Sequence, residues 1–193
     1  MDNHLSFDLS KAAKVCAKAF FKDELDRYFF PNETTRLYHQ ERMYKYFLST
    51  NLNNISVTSK ELEGLMVLEK SGSYKTKLTG SDILGGLSLF KLGLGTIARM
   101  IIFQSHALTI RNRLIKAPYW YLSLIVVAPE YQGKGFASKL LKSAIAKADE
   151  AQKHIFLETH NPKNLPLYEK FGFRLLDSII LEPSHLWHYC MTR

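Results

Sequence analysis

The run Leu122-Ser123-Leu124-Ile125-Val126-Val127, followed by Ala128-Pro129-Glu130 and Tyr131-Gln132-Gly133-Lys134-Gly135-Phe136-Ala137-Ser138, decides how this chain is read. Leu122 to Val127 is apolar and β-branched, the composition of a buried strand. Beyond Ser138, Lys139 to Ala148 is amphipathic at helical spacing. A strand, a Gly-bearing turn and a helix start therefore follow one another. Such a junction leaves several backbone N–H groups unpaired and aimed at one point, where the helix dipole adds positive potential. It binds phosphate or pyrophosphate without needing a charged side chain. Gly133 and Gly135 allow a sharp turn and admit a ligand where a Cβ would collide.

Two nucleotide cradles fit poorly. A Walker loop needs four residues between its glycines and then Lys-Ser/Thr, and no such run is present. A dinucleotide fingerprint needs a third glycine where Ser138 stands, although Glu158 falls near the spacing of its ribose-binding acid. Gln132 to Ala137 instead fits Q/R-x-x-G-x-G/A. Alone, that run reads equally well as an ordinary Gly-containing turn.

A second segment separates the two readings. Ile155-Phe156-Leu157-Glu158-Thr159 reads as a strand, followed by Asn161-Pro162-Lys163-Asn164 and Leu165-Pro166-Leu167-Tyr168-Glu169-Lys170-Phe171-Gly172-Phe173. Together the segments resemble the GCN5-related N-acetyltransferases (the GNAT family). There, the glycine loop holds coenzyme A pyrophosphate, and a later strand leads to an Asn, a Tyr on a short helix and a Gly-Phe pair. Tyr119-Trp120-Tyr121-Leu122, Leu157-Glu158-Thr159 and Leu186-Trp187, with Ala19-Phe20, Phe30-Pro31-Asn32 and Arg36, resemble the puromycin N-acetyltransferase-like branch. The similarity is close from Pro118 to Phe173 and loose before it. Tyr119 stands where that branch often has His, and Leu68-Glu69-Lys70-Ser71-Gly72 replaces a Trp-bearing strand end.

The resemblance implies an α/β fold with a mixed, mostly antiparallel central sheet flanked by helices, and a helical insertion before the coenzyme-binding strand. It implies acetyl-CoA as donor and a small-molecule amine as acceptor. The main chain of Ile125, Val126 and Val127 would hold the pantetheine arm. Gln132, Gly133, Lys134, Gly135, Phe136, Ala137 and Ser138 would hold the pyrophosphate, and Asn164 the arm. Tyr168 would sit near the sulfur as general acid, since a phenol stays protonated at neutral pH. Glu158 is the first candidate for the base, directly or through water, and a carboxylate satisfied by backbone N–H groups or by a nearby cation is an equal reading. Tyr121 and His160 are further base candidates. The reaction needs no metal, and His185-Leu186-Trp187-His188 resembles a metal motif only superficially.

Composition is compatible with this. The 193 residues suit one domain, spanning residues 1–193, with a real core. Cys16 and Cys190 lack metal or redox spacing, and without a signal peptide they read as reduced thiols of a cytoplasmic protein. The net charge of +8 comes from scattered residues, so a solvated surface is a better reading than nucleic-acid binding. A monomer or homodimer is expected, with no nucleic-acid or membrane partner. The main alternative function is a non-catalytic acyl-CoA-binding or regulatory module.

Elsewhere, apolar periodicity predicts a helix over Leu9 to Phe21 and another from Thr34 or Thr35 to about Leu48. Ile55 to Thr58 and Leu65 to Leu68 read as paired strands. Ile83 to Phe103 is apolar and Gly-rich; Lys91, Arg99 and its glycines argue against a membrane span. It reads as two short helices broken at Gly93 and Gly95, packed beside the acceptor pocket. Later elements are expected at Lys134 to Ala148, His154 to Thr159, Asn164 to Lys170, Phe173 to Leu181 and His185 to Met191. Phe29, Phe30, Tyr38, Tyr44 and Tyr46 are candidates for an apolar acceptor pocket.

Overall fold

The computed structural model describes residues 7–71 and 90–193. Helix α1 (Leu9–Ala19) starts at Asp8, whose Oδ1 accepts hydrogen bonds from the amides of Ser10 and Lys11. That carboxylate satisfies donors the first helical turn leaves free. Its small residues Ala12, Ala13, Cys16 and Ala17 are buried. Asp23 caps a short helix α2 (Glu24–Phe29), and Asn32 caps α3 (Glu33–Thr50). The sequence reading has no element at α2, because six residues give too little periodicity to register.

Among the described residues, six strands form one sheet: β1 (Ile55–Val57), β2 (Gly64–Lys70), β3 (Tyr119–Val127), β4 (His154–Thr159), β5 (Arg174–Leu181) and β6 (Leu186–Thr192). Their order is β1-β2-β3-β4-β6-β5, and only β3 and β4 run parallel. Successive side chains enter opposite layers, as strand geometry requires. Leu65 and Val67 pack with α1 and α3, while Met66 and Leu68 pack on the other face with α5 (Phe136–Glu150). The two buried thiols lie in different clusters and are free.

The helical insertion between β2 and β3 is α4 (Leu94–Leu114). It corrects the expectation of two short helices over Ile83 to Phe103. Residues 83–89 lie outside the described residues, Phe90–Leu92 form a 3-10 turn, and Gly93 caps one continuous helix that includes Gly95. The buried face Thr96, Phe103, Ala107, Ile110 and Arg111 continues past Phe103, so the helix continues too. Among the described residues, no helix is long and apolar enough to cross a membrane. The helix expected from Lys134 begins at Phe136, because Gly135 adopts a left-handed conformation.

The feature that makes room for a site is a parting of β3 and β4. Strand β2 follows β3 from Lys70↔Trp120 to Gly64↔Val127, with an irregularity that leaves Ser123 as an extra residue. Such a bulge raises local twist. Strand β4 pairs with β3 only from Tyr119↔His154 to Leu122↔Leu157. Beyond that point Glu158 and Thr159 pair with β6 instead, opposite Cys190 and Tyr189. A gap therefore opens beside Ser123 to Val127, with α6 (Leu165–Lys170) on its β4 side.

Candidate active site

Below the gap lies the glycine turn. A 3-10 turn, Pro129–Tyr131, leads out of β3, and Gln132 Nε2 donates back to the Val127 carbonyl at 3.2 Å. Gly133 and Gly135 have φ of +76° and +84°, a region that L side chains rarely adopt. Among the described residues, no heavy atom beyond the chain neighbours lies within 4 Å of where a Cβ would stand on either residue, so the turn is open there. Helix α5 then starts without a side-chain cap. Its first amides and its dipole remain available to an anion.

The β4 side of the gap carries Asn164 and Tyr168. Asn164 Nδ2 donates to Thr159 Oγ1 at 3.1 Å, which ties the α6 entry to the end of β4. Tyr168 is buried, its ring set edge-on to Phe173, and it belongs to the core cluster of Leu140 and Leu141. Its hydroxyl has no hydrogen-bond partner among the described residues. Burial pushes it up to about 12. Tyr168 is thus both a core aromatic and a neutral donor on a cavity wall.

Glu158 stands at the point where β4 leaves β3. Arg111 of α4 grips it with two bonds, Nη2 to Oε2 at 2.6 Å and Nε to Oε1 at 3.1 Å. Tyr121 donates to Oε2 at 2.7 Å, and the Arg111 guanidinium stacks on the Tyr121 ring at 3.8 Å. His188 Nε2 lies 3.5 Å from Oε1, within ion-pair reach but without a hydrogen bond among the described residues. Burial opposes ionisation, but His188 and the charge and hydrogen bonds of Arg111 outweigh it and hold Glu158 down at about 2. His188 Nδ1 in turn meets His160 Nε2 at 2.9 Å. Burial first, and then the neighbouring His188, hold His160 down at about 3, so it is neutral at neutral pH. The result is a chain from the cavity wall inward: His160, His188, Glu158, Arg111.

Glu158, His188 and Cys190 offer donor atoms within 4.8 Å of one another. They make a poor cation cradle, because the Arg111 guanidinium already occupies the carboxylate and burial pushes the Cys190 thiol up to about 12. His185 is exposed on the turn before β6 and takes no part.

One cavity of about 440 Å³ joins these groups, a size typical of small-molecule sites. Its sheet wall is formed by Tyr121 to Ile125, Glu158 to His160, Asn164 and Tyr168. Its helical wall comes from Phe20, Asp23 and Asp26, from α3 and from Met100, Phe103, Gln104 and Ala107 of α4. Of the expected pocket aromatics, Phe29, Tyr44 and Tyr46 line it, whereas Phe30 is in the core and Tyr38 is exposed. Ile125 reaches the cavity, while the Val126 side chain turns to the α1 and α3 face. Sequence reasoning missed Asp23, Asp26, Arg111 and His188. The available signal was Asp23 as a helix cap; an isolated Arg or His on an apolar background carries none.

The acetyltransferase (GNAT) family model matches residues 19–173. Over 62 residues the chain is 39% identical to an uncharacterized N-acetyltransferase of Schizosaccharomyces pombe, a match spanning 32% of this chain and about a quarter (25%) of that relative's length. A solved Corynebacterium glutamicum protein, described as histone acetyltransferase HPA2 and related acetyltransferase, superposes with a TM-score of 0.65 at 18% identity. That match covers 96% of this chain and 90% of the other. The arylalkylamine N-acetyltransferase 7 structure from the yellow fever mosquito gives 0.63 at 15% identity, over 96% and 82% of the two chains. At these identities the structural matches establish the fold.

Proposed function

Because this chain belongs to the acetyltransferase (GNAT) family, we propose that it is an N-acetyltransferase that moves an acetyl group from acetyl-CoA to the amine of a small molecule. The observation that carries the reading is the parting of β3 and β4 above an open glycine turn, with Asn164 and Tyr168 on the cavity wall beside it. The family uses this arrangement for a thioester donor. Main-chain groups of Ile125, Val126 and Val127 would bind the pantetheine arm as an added strand. The turn from Gln132 to Ser138 would take the pyrophosphate on its amides. The puromycin N-acetyltransferase-like branch remains our proposed placement, on Tyr119 to Leu122 and the segment after β4. One domain acting in the cytoplasm, as monomer or homodimer, completes the proposal.

In the reaction the amine lone pair attacks the thioester carbonyl, a C–N bond forms, and the C–S bond breaks with its electron pair on sulfur. Backbone N–H groups near Val126 or Val127 would stabilise the oxyanion. Tyr168 would donate its proton to the leaving sulfur. Burial holds the Tyr168 phenol up at about 12, so it is neutral at neutral pH and able to donate as the C–S bond breaks. Glu158 is ionised and both its oxygens are engaged, so its proposed part is to anchor a proton path rather than take the proton at once. His160, held down at about 3, is too weak a base for this, so the amine proton would leave through water at the cavity wall, with Glu158 as the anchoring negative charge.

Release of free thiol from acetyl-CoA in the presence of amines tests the reading. Tyr168→Phe should lower turnover about 100-fold, while coenzyme affinity stays within about twofold. Equal turnover removes the acid assignment. A chain that binds the coenzyme but releases no thiol with any amine is instead a binding module.

A further inference from the structure

The helical wall of the cavity differs in charge from the rest of the protein. The chain has a net charge of +8, yet the described residues lining the cavity include Asp23, Asp26 and Glu158 and no Lys or Arg. Arg111 of α4 answers Glu158. Asp26 has no such answer. It is 4% exposed, and no cation lies within ion-pair distance of it among the described residues. Arg36, the nearest candidate, spends its guanidinium on the backbone carbonyls of Phe30, Phe21 and Pro31. The carboxylate accepts hydrogen bonds from Gln40 Nε2 and from Tyr44 Oη, at 3.2 Å and 3.0 Å to its two oxygens for the latter. An ionised carboxylate has about four acceptor sites, so capacity remains. Beside it, Gln40 Oε1 is fully buried with no donor among the described residues.

With Asp26 ionised, this corner therefore holds more buried acceptors than donors, which is costly unless a proton or a positive donor answers them. Asp23, also on the cavity wall, adds a second carboxyl group, and the aromatic faces of Phe20 and Tyr44 stack beside it at 5.7 Å between ring centres. Carboxylate plus aromatic faces is the environment that selects an ammonium. The reacting end of the same cavity, at Tyr168 and His160, lies on the other wall.

We propose that the acceptor is a dication of the α,ω-diamine type, with one amine presented to the sheet wall for acetylation and the second held as an ammonium by Asp26 and Asp23. This rests on the acetyltransferase reading above, and names the substrate class for that site. The two amines are bridged by an apolar chain lying along Phe29, Met43, Phe47 and Phe103. The apolar fit favours a methylene chain over a polar linker.

The test measures thiol release from acetyl-CoA with the α,ω-diamines from propane to hexane, each beside the monoamine of the same chain. At least one diamine should exceed its monoamine in kcat/KM by about tenfold or more, the worth of one charge-assisted contact. In Asp26→Asn that ratio should fall to about one. Calorimetric binding of the preferred diamine to the unaltered protein, without acetyl-CoA, should release protons near pH 7 as Asp26 ionises. Thiol release with monoamines and no diamine preference at any length overturns the diamine assignment and leaves acetyl transfer standing. Failure of every amine overturns both.

Discussion

The two walls of the cavity treat a buried carboxylate in opposite ways. On the sheet wall, Glu158 is clasped by Arg111, Tyr121 and His188 and held down at about 2. On the helical wall, the Asp26 carboxyl meets Gln40 and Tyr44 and, among the described residues, no cation, and burial pushes it up to about 7. Both side chains are almost inaccessible, so burial alone does not set their charge; the partner does. The sheet-wall carboxylate is fully partnered without a ligand, as expected of a scaffold that must hold its groups in fixed geometry. The helical wall is incomplete, as expected of a surface that selects an acceptor.

Removing Arg111 should break this contrast most severely. Arg111→Met leaves Glu158 buried and unpaired and should cost up to about 5 kcal/mol of folding stability in denaturant unfolding. The double variant Arg111→Met, Glu158→Gln should regain most of that loss. If the single variant is as stable as the unaltered protein, the clasp has no energetic role.

The second prediction follows the pH dependence of stability. Asp26 titrates near 3.9 when unfolded and at about 7 in the fold, so the native state binds the extra proton. Its contribution to stability therefore falls as pH rises from about 4 to about 7, by about 4 kcal/mol in total. Asp23, lifted by the same burial, adds to that slope, while Tyr44, Gln40 and Arg36 oppose it. Glu158 runs the other way: its contribution is present above the unfolded value near 4.3 and is lost as pH falls toward about 2. Asp26→Asn should flatten most of the slope between pH 4 and 7, read as melting temperature against pH. An unchanged slope would mean that Asp26 is ionised throughout that range.

The smallest of the three effects concerns the turn beneath the gap. Gly135→Glu forces a side chain into φ near +84° and brings a negative charge toward the anion cradle. Coenzyme affinity should fall about 30-fold or more, while diamine binding at the helical wall stays measurable. Loss of both would tie the two regions together.

Much of the sheet wall was legible in the sequence. Gly133 and Gly135 announce a turn, Leu122 to Val127 a strand, and Asn164, Tyr168 and Gly172 keep fixed spacing along one short segment. All of these are local in the chain, and their chemistry lies largely in backbone amides. Helix α3 shows why the other wall was not. Its buried residues are Arg36, Gln40, Tyr44 and Leu48, an i, i+4 stripe whose first two places are polar. Apolar periodicity finds the helix but reads those two polar places as solvated.

The sequence by itself determined the family, the order of strands and helices after Pro118, and the turn that would receive a pyrophosphate. Those properties depend on local conformation and on residues close together in the chain. Only the tertiary structure decided that Arg111 neutralises Glu158 across 47 positions and that His188 joins His160 across 28. It also decided that Asp26, beneath α3, has no cation within ion-pair distance among the described residues. Charge in an interior is set by whichever groups the fold brings within a few ångströms, and no local pattern encodes that proximity.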